Sequence, residues 1–171
     1  GVLYHGNRLL PGVREFVEWL YAEGKKFLFL TNASERSPIE LSQKLARLGL
    51  DVSEDHFYTS ALATARFLRH QAPGCSAYVI GGAGLIMALH DAGITMNDVD
   101  PDYVIIGEGN NYNYENIVKA VQLVLKGARL IGTVMAEAIV DAFVDTPFSG
   151  AERHVKRIDM ISRIENGETI E

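Results

Sequence analysis

The stretch Lys26-Phe27-Leu28-Phe29-Leu30-Thr31-Asn32-Ala33-Ser34 constrains the chain more than any other. Its apolar run stops at a Thr-Asn pair and opens into a polar loop before the next helical pattern. A short continuous apolar run of this kind reads as a buried parallel strand. Open α/β sheets bind ligands beyond the carboxyl ends of their strands, so Thr31 and Asn32 would offer a hydroxyl and an amide where an anion can be held. A chain that merely has to turn uses the same pair, and local pattern alone favours that plainer reading.

Strands and helices alternate around this stretch. From Pro11, Val13, Phe16, Val17 and Leu20 fall at i, i+3, i+4 and i+7, and Gly24 supplies a stop. Ser37-Pro38-Ile39-Glu40 spells a capping box with Pro at the first helical position, and Leu41, Leu45 and Leu48 continue the apolar stripe to Gly49. A short extended piece around Phe57-Tyr58 leads to Ser60, the expected cap of a helix reaching about His70. After Ala72-Pro73-Gly74 the rhythm is strand (Ala77 to Ile80), glycine turn (Gly81-Gly82-Ala83-Gly84), then a helix carrying Leu85, Ile86 and Leu89 to Gly93. Tyr103 to Ile106 reads as the next strand. Tyr114 to Lys126 reads as a helix with Ile117, Val118, Val121 and Leu125 inward, and Ala128 to Gly132 as a third strand. The pattern predicts an α/β fold with a mostly parallel, Rossmann-like sheet, flanking helices and right-handed crossovers.

Charge and composition exclude several functions. The 171 residues carry a formal net charge of −6, against broad binding to nucleic acid or to a membrane surface. No apolar run approaches the roughly 18 residues of a membrane span, and nothing at Gly1 reads as a signal peptide. Cys75 is the one cysteine and has no internal partner, so a reducing cytoplasm is the expected setting.

Gly1-Val2-Leu3-Tyr4-His5-Gly6, Leu10-Pro11-Gly12, Leu28-Phe29-Leu30-Thr31-Asn32 and Asp102-Tyr103-Val104-Ile105-Ile106-Gly107, in that order, resemble the NagD-like nucleotide phosphatases of the haloacid dehalogenase superfamily. The likeness covers about residues 1 to 133. It implies that Thr31 matches the second motif, whose hydroxyl and neighbouring amides hold the transferring phosphoryl group, with Asn32 as its companion. It further implies a phosphorylated small molecule as substrate, Mg2+ as cofactor, a partial core over 1–72 and an α/β cap over 73–133 that chooses the substrate.

That resemblance also requires an Asp nucleophile and a second Asp two residues later, immediately before the glycine that here is Gly1. The first would attack phosphorus and the second would protonate the leaving oxygen and activate water. Asp98-Val99-Asp100 has the spacing but precedes a strand and reads as a solvated turn, while Asp141 and Asp145 read as an exposed helix face. The Asn-Pro-Asp run, the later lysine and the acidic Gly-Asp motif for magnesium have no counterpart among these residues.

From about residue 128 the sequence resembles the C-terminal end of ribose-5-phosphate isomerase B and galactose-6-phosphate isomerase. Thr146-Pro147-Phe148-Ser149-Gly150, Arg153-His154 and Arg157 carry that likeness. It implies that Arg153 and Arg157 help to hold a sugar phosphate, often across a dimer interface, and hence a homodimer. Spaced i, i+4, the two guanidinium groups share a helix face and suit a phosphate, although a solvated basic face beside Glu152 and Asp159 accounts for them more simply. Val155, Ile158, Ile161 and Ile164 would be the packing stripe of that helix. The join falls near the strand common to both families, so a chimera is expected, with isomerase-like helices over 134–171.

Other candidates have plainer readings. Gly81-Gly82-Ala83-Gly84 could turn amides toward an anion, but a tight turn needing small residues is favoured. Asn110-Asn111-Tyr112-Asn113-Tyr114 could touch a base or sugar, or could simply cap a helix. Cys75 stands outside the Gly-rich setting of an isomerase base and reads as a small half-buried residue. His56, His70 and His90 are isolated, His5 follows the missing motif, and no metal-ligand spacing links them. The expectation is a derivative of a magnesium-dependent phosphatase without turnover as it stands. The alternatives are a recombined scaffold with weak anion binding at Thr31-Asn32 or Arg153-Arg157 and, ranked lowest, an isomerase.

Overall fold

The structure, a computed structural model, describes residues 3–132. Arg153, Arg157, the Val155-to-Ile164 stripe, Asp141, Asp145 and the isomerase-like stretch from Val134 lie outside the described residues, as do Gly1 and Val2.

The first half builds around α1 (Val13–Ala22) and α2 (Pro38–Arg47). A short antiparallel hairpin of β1 (Tyr4–His5) and β2 (Arg8–Leu9) precedes them, turning at Gly6 with φ +58°. The capping box of α2 forms in full: the Ser37 hydroxyl accepts the Glu40 N–H at 3.3 Å, and the Glu40 carboxylate accepts the Ser37 N–H at 2.8 Å. Both orphan donors are thereby satisfied, which is why the helix starts at Pro38. β3 (Phe29–Thr31) pairs in parallel with β4 (Phe57–Thr59), Thr31 opposite Thr59. Val13, Val17, Leu41, Leu45, Leu50, Val52 and Phe57 form one core.

The second half is a four-stranded parallel sheet in the order β6-β5-β7-β8, made of β5 (Ser76–Ile80), β6 (Thr95–Met96), β7 (Tyr103–Ile106) and β8 (Arg129–Gly132). Alternate residues serve opposite faces. Ala77, Tyr103, Ile105 and Ile131 pack with Ala61, Ala65 and Leu68 of α3 (Ser60–Gln71) and with Leu85 and Leu89 of α4 (Ala83–Asp91). Ile80 and Val104 meet Ala120 and Leu123 of α5 (Tyr114–Leu125) on the other face. The strands therefore read as near-continuous apolar runs because they are covered on both sides.

Several expectations need correction. The Phe27-to-Leu30 run is not a buried strand: Leu28 is 58% and Leu30 75% exposed. Among the described residues β3 has β4 as its sole partner, so its other edge is open and only alternate side chains such as Phe29 reach the core. The expected parallel sheet is the four-stranded one, and β3 and β4 form a separate two-stranded parallel pair. In α1, Phe16 points outward and stacks on Trp19. In α5, Ile117, Val121 and Leu125 are exposed; the sheet selects the competing stripe of Ala120 and Leu123. Ile86 is also exposed while Leu85 and Leu89 are buried. The cap of α3 is Thr59, whose hydroxyl accepts the Leu62 N–H at 3.2 Å, so Ser60 is its first helical residue.

Candidate functional site

Thr31 is the last residue of β3 and is half-buried; Asn32 beyond it is exposed. The Thr31 hydroxyl oxygen accepts the Ala33 N–H at 3.1 Å, which closes a tight side-chain turn. A hydroxyl in that role keeps its own O–H to donate. One further hydroxyl holds the turn: Ser60, the first residue of α3, donates to the Asn32 carbonyl at 2.6 Å. What the arrangement offers chemically is one positioned hydroxyl donor and an exposed amide beside it, at the carboxyl end of a parallel strand.

The loop leaving this turn runs against the carboxyl ends of β5 and β7. Ser34, 4% exposed, donates its N–H to the Glu108 carboxylate at 3.3 Å, and its hydroxyl accepts the Glu108 N–H at 2.8 Å. Gly84 N–H donates to the Glu35 carbonyl at 2.9 Å and Gly82 N–H to the Glu108 carbonyl at 2.7 Å. A Cβ on Gly82 would stand 2.8 Å from Glu35 Cα, and one on Gly84 would stand 2.5 Å from the Arg36 carbonyl carbon. The glycines of 81–84 thus admit another backbone, and the Gly82 and Gly84 amides are spent on internal carbonyls. The packing reading of that cluster holds.

The Asn-Tyr stretch is mostly a helix start. Asn113 caps α5 by accepting the Asn116 N–H at 2.8 Å, Asn116 donates to the Asn111 carbonyl at 2.9 Å, and the Tyr112 hydroxyl donates to the Gly107 carbonyl. Among the described residues, Asn111 Oδ1 is the one side-chain polar atom buried without a partner. It borders an open cavity of about 480 Å3 that Glu35, Arg36, Glu40, Gly82 and Asn110 also line. Sequence reasoning passed over Arg36, Ser34 and Glu108; the hint available was that Glu108 lies between two glycines directly after a strand.

The remaining candidates stand apart from this turn. Cys75 is buried, more fully than expected, and burial pushes its thiol pKa up, with the Asp102 carboxylate adding to the shift. That is the opposite of what a thiolate base needs. Asp98 and Asp100 are exposed as a turn around Asn97, and the bonded Lys119 ammonium holds the Asp98 carboxyl below its usual range. His56 stacks on Phe27 with ring centroids 3.9 Å apart, and His90 lies at the surface 3.6 Å from Asp91. Among the described residues no three His, Cys, Asp or Glu side chains converge as metal ligands. The donors present there do not fit Mg2+. No helix among them is long and apolar enough to cross a membrane.

The structure thus has a polar turn at the carboxyl end of a parallel strand, and comparison with known proteins gives the class. The description "Haloacid dehalogenase-like hydrolase" matches residues 1–95, and the chain belongs to that family. Residues 110–161 match "Ribose/Galactose Isomerase", a likeness that begins earlier than the expected residue 128. More particularly, the chain is 44% identical over 133 residues to ribonucleotide monophosphatase NagD of Escherichia coli K12, covering 78% of this chain and 53% of that protein. It is 41% identical to dihydroxyacetone phosphatase of Corynebacterium glutamicum, over 78% of this chain and 48% of that one. The solved structure of NagD from E. coli superposes with a TM-score of 0.73 at 44% identity, over 77% of this chain and 52% of that chain. The chain spans about half the length of the curated relatives it matches.

Proposed function

We propose that residues 1–133 derive from a NagD-like phosphatase that hydrolyses phosphate monoesters such as nucleotides or sugar phosphates, with Mg2+ as its cofactor. The observation that carries the reading is the Thr31 turn. It leaves a hydroxyl donor beyond the carboxyl end of β3, where a phosphoryl oxygen would be held. The relatives' names, a ribonucleotide monophosphatase and a dihydroxyacetone phosphatase, support a phosphorylated small molecule as the ligand. In this reading 1–72 is a partial core, 73–133 a cap-like unit, and the protein works in the cytoplasm without a nucleic-acid or membrane partner.

A polypeptide of these 171 residues alone is proposed to be inactive, because its sequence holds no Asp-x-Asp pair after a buried strand (Asp98-Val99-Asp100 follows the exposed β6 as a surface turn), no matching lysine and no acidic magnesium motif. The test is release of inorganic phosphate from nucleoside monophosphates and sugar phosphates with Mg2+ present. The expected result is none above background; turnover that disappears in Thr31→Ala would overturn the claim of inactivity. The isomerase match over 110–161 favours a second reading, a recombined scaffold. There residues 134–171 are isomerase-like helices, Arg153 and Arg157 bind an anion, and the chain is a homodimer. Phosphate binding weakened by Arg153→Ala but not by Thr31→Ala would favour that reading. Isomerase activity sensitive to Cys75→Ala would revive the third.

A further inference from the structure

We infer that Glu108 is a positioning residue for the Thr31-Asn32 turn, acting through Ser34. The inference rests on reading that turn as the phosphate site, and it adds to it the group that holds the turn in shape.

Ser34 follows Thr31 by three residues and is one of only two buried polar residues among those described; Thr59 is the other. Burying a serine leaves both its N–H and its hydroxyl in need of partners. One residue, 74 positions away, supplies both: the Glu108 carboxylate takes the N–H and the Glu108 backbone gives its own N–H to the hydroxyl. The pair is reciprocal, so the loop is fixed in position and in orientation. The surroundings leave it no room to slide. A Cβ on Gly107 would stand 2.7 Å from the Ser34 hydroxyl, and Gly82 and Gly84 meet Glu35 and Arg36 as closely.

A carboxylate is an unwelcome neighbour for a phosphate, since like charges repel through a partly buried medium more than through water. Glu108 is therefore no ligand for the anion. Its value lies in accepting the Ser34 N–H at 3.3 Å, a role that an uncharged amide oxygen can also fill. Without it, Ala33 and Ser34 regain backbone freedom, and the Thr31 hydroxyl loses the Ala33 N–H that orients it. Glutamine at 108 keeps the acceptor oxygen and removes the charge, which separates the two effects.

The experiment uses the 171-residue chain and compares wild type, Glu108→Ala and Glu108→Gln by amide exchange and by titration with inorganic phosphate. Both are followed through backbone amide resonances. In Glu108→Ala the Ala33 and Ser34 amides are expected to exchange about tenfold faster, while β5 and β7 amides keep their protection and so report intact folding. Phosphate affinity, read from the Thr31-to-Ser34 shifts, is expected to fall about tenfold in Glu108→Ala, the loss of one hydrogen bond to the Ser34 N–H. Glu108→Gln is expected to exchange like wild type and to bind phosphate at least as tightly. Unchanged exchange at Ala33 and Ser34 in Glu108→Ala overturns the inference, as does phosphate affinity that Glu108→Ala leaves intact. If Glu108→Ala fails to fold, Glu108→Gln decides: phosphate binding weaker than wild type overturns the inference. Wild type that shows no phosphate shifts at all overturns the phosphate reading of Thr31, and the exchange arm then decides alone whether Glu108 fixes the turn.

Discussion

At the scale of single residues, the capping box at Ser37 and Glu40 makes a pH-dependent contribution whose sign can be stated. The Ser37 backbone N–H, and after it the Ser37 hydroxyl, hold the Glu40 carboxyl below its usual range. A carboxylate whose folded pKa is depressed adds stability above its unfolded pKa, and that stability is lost as pH falls through the folded value. Glu40 is almost fully exposed to solvent, so the effect is small and salt-sensitive. Ser37→Ala should cost about 1 kcal/mol in urea unfolding at neutral pH, the usual worth of an N-cap hydroxyl. Glu40→Gln should flatten the acid limb of the stability curve below the ordinary glutamate range. A pH profile identical to wild type in Glu40→Gln would show that the carboxylate is not coupled to folding. The same pair was fully legible from sequence, because a capping box is a local contract between residues three apart. Ser34 and Glu108, joined across 74 residues, left no such trace.

At the scale of elements, sequence pattern placed most helices and strands but not always the face they bury. Tyr103 to Ile106 was read correctly because four apolar residues flanked by polar ones have one plausible assignment. α5 carries two apolar stripes, and the choice between them belongs to the sheet: Ile80 and Val104 receive Ala120 and Leu123, leaving Ile117 and Val121 outside. The β1–β2 hairpin and β6 escaped notice since two-residue strands have no periodicity to detect. β3 was misjudged for a different reason: burial of a strand depends on neighbours that its own sequence cannot supply. Two predictions follow from what surrounds these elements. Gly84→Ala would force a methyl group against the Arg36 backbone, and should destabilise by about 1–3 kcal/mol in denaturant unfolding. A cost near zero would mean that the 33–36 loop yields easily. Leu30→Lys, in β3, whose second edge has no partner among the described residues, should change stability by less than about 0.5 kcal/mol. It should also lower self-association in light scattering, because an unpaired apolar strand edge recruits other strands and a lysine blunts it. Unaltered scattering would place any self-association elsewhere.

At the scale of the whole described unit, the packing gives three apolar clusters, one in the first half and two on opposite faces of the second half's sheet. It implies that the core of the first half and the core between the sheet, α3 and α4 can fail separately. Val17, Leu45 and Phe57 belong to the first, while Leu68, Leu89 and Ile105 belong to the second, and no buried residue is shared. Chain continuity from β4 into α3 joins them, together with the polar contacts of Ser34, Glu35, Gly84 and Glu108. Contacts that are polar and backbone-mediated couple two cores less tightly than shared apolar burial does. Leu45→Ala and Leu89→Ala each remove a buried leucine, at a cost of about 2–5 kcal/mol. Native-state amide exchange should then show Leu45→Ala loosening α2 and β4 while Val79 and Ile105 stay protected, with Leu89→Ala doing the reverse. Equal loss of protection in both cores for either variant would make the unit a single cooperative block. Under separate unfolding, the Thr31 turn sits on the first core while Glu108, which shapes it, sits on the sheet of the second. The site would then exist only while both halves are folded and in contact, and loosening either core should release the Ala33 and Ser34 amides.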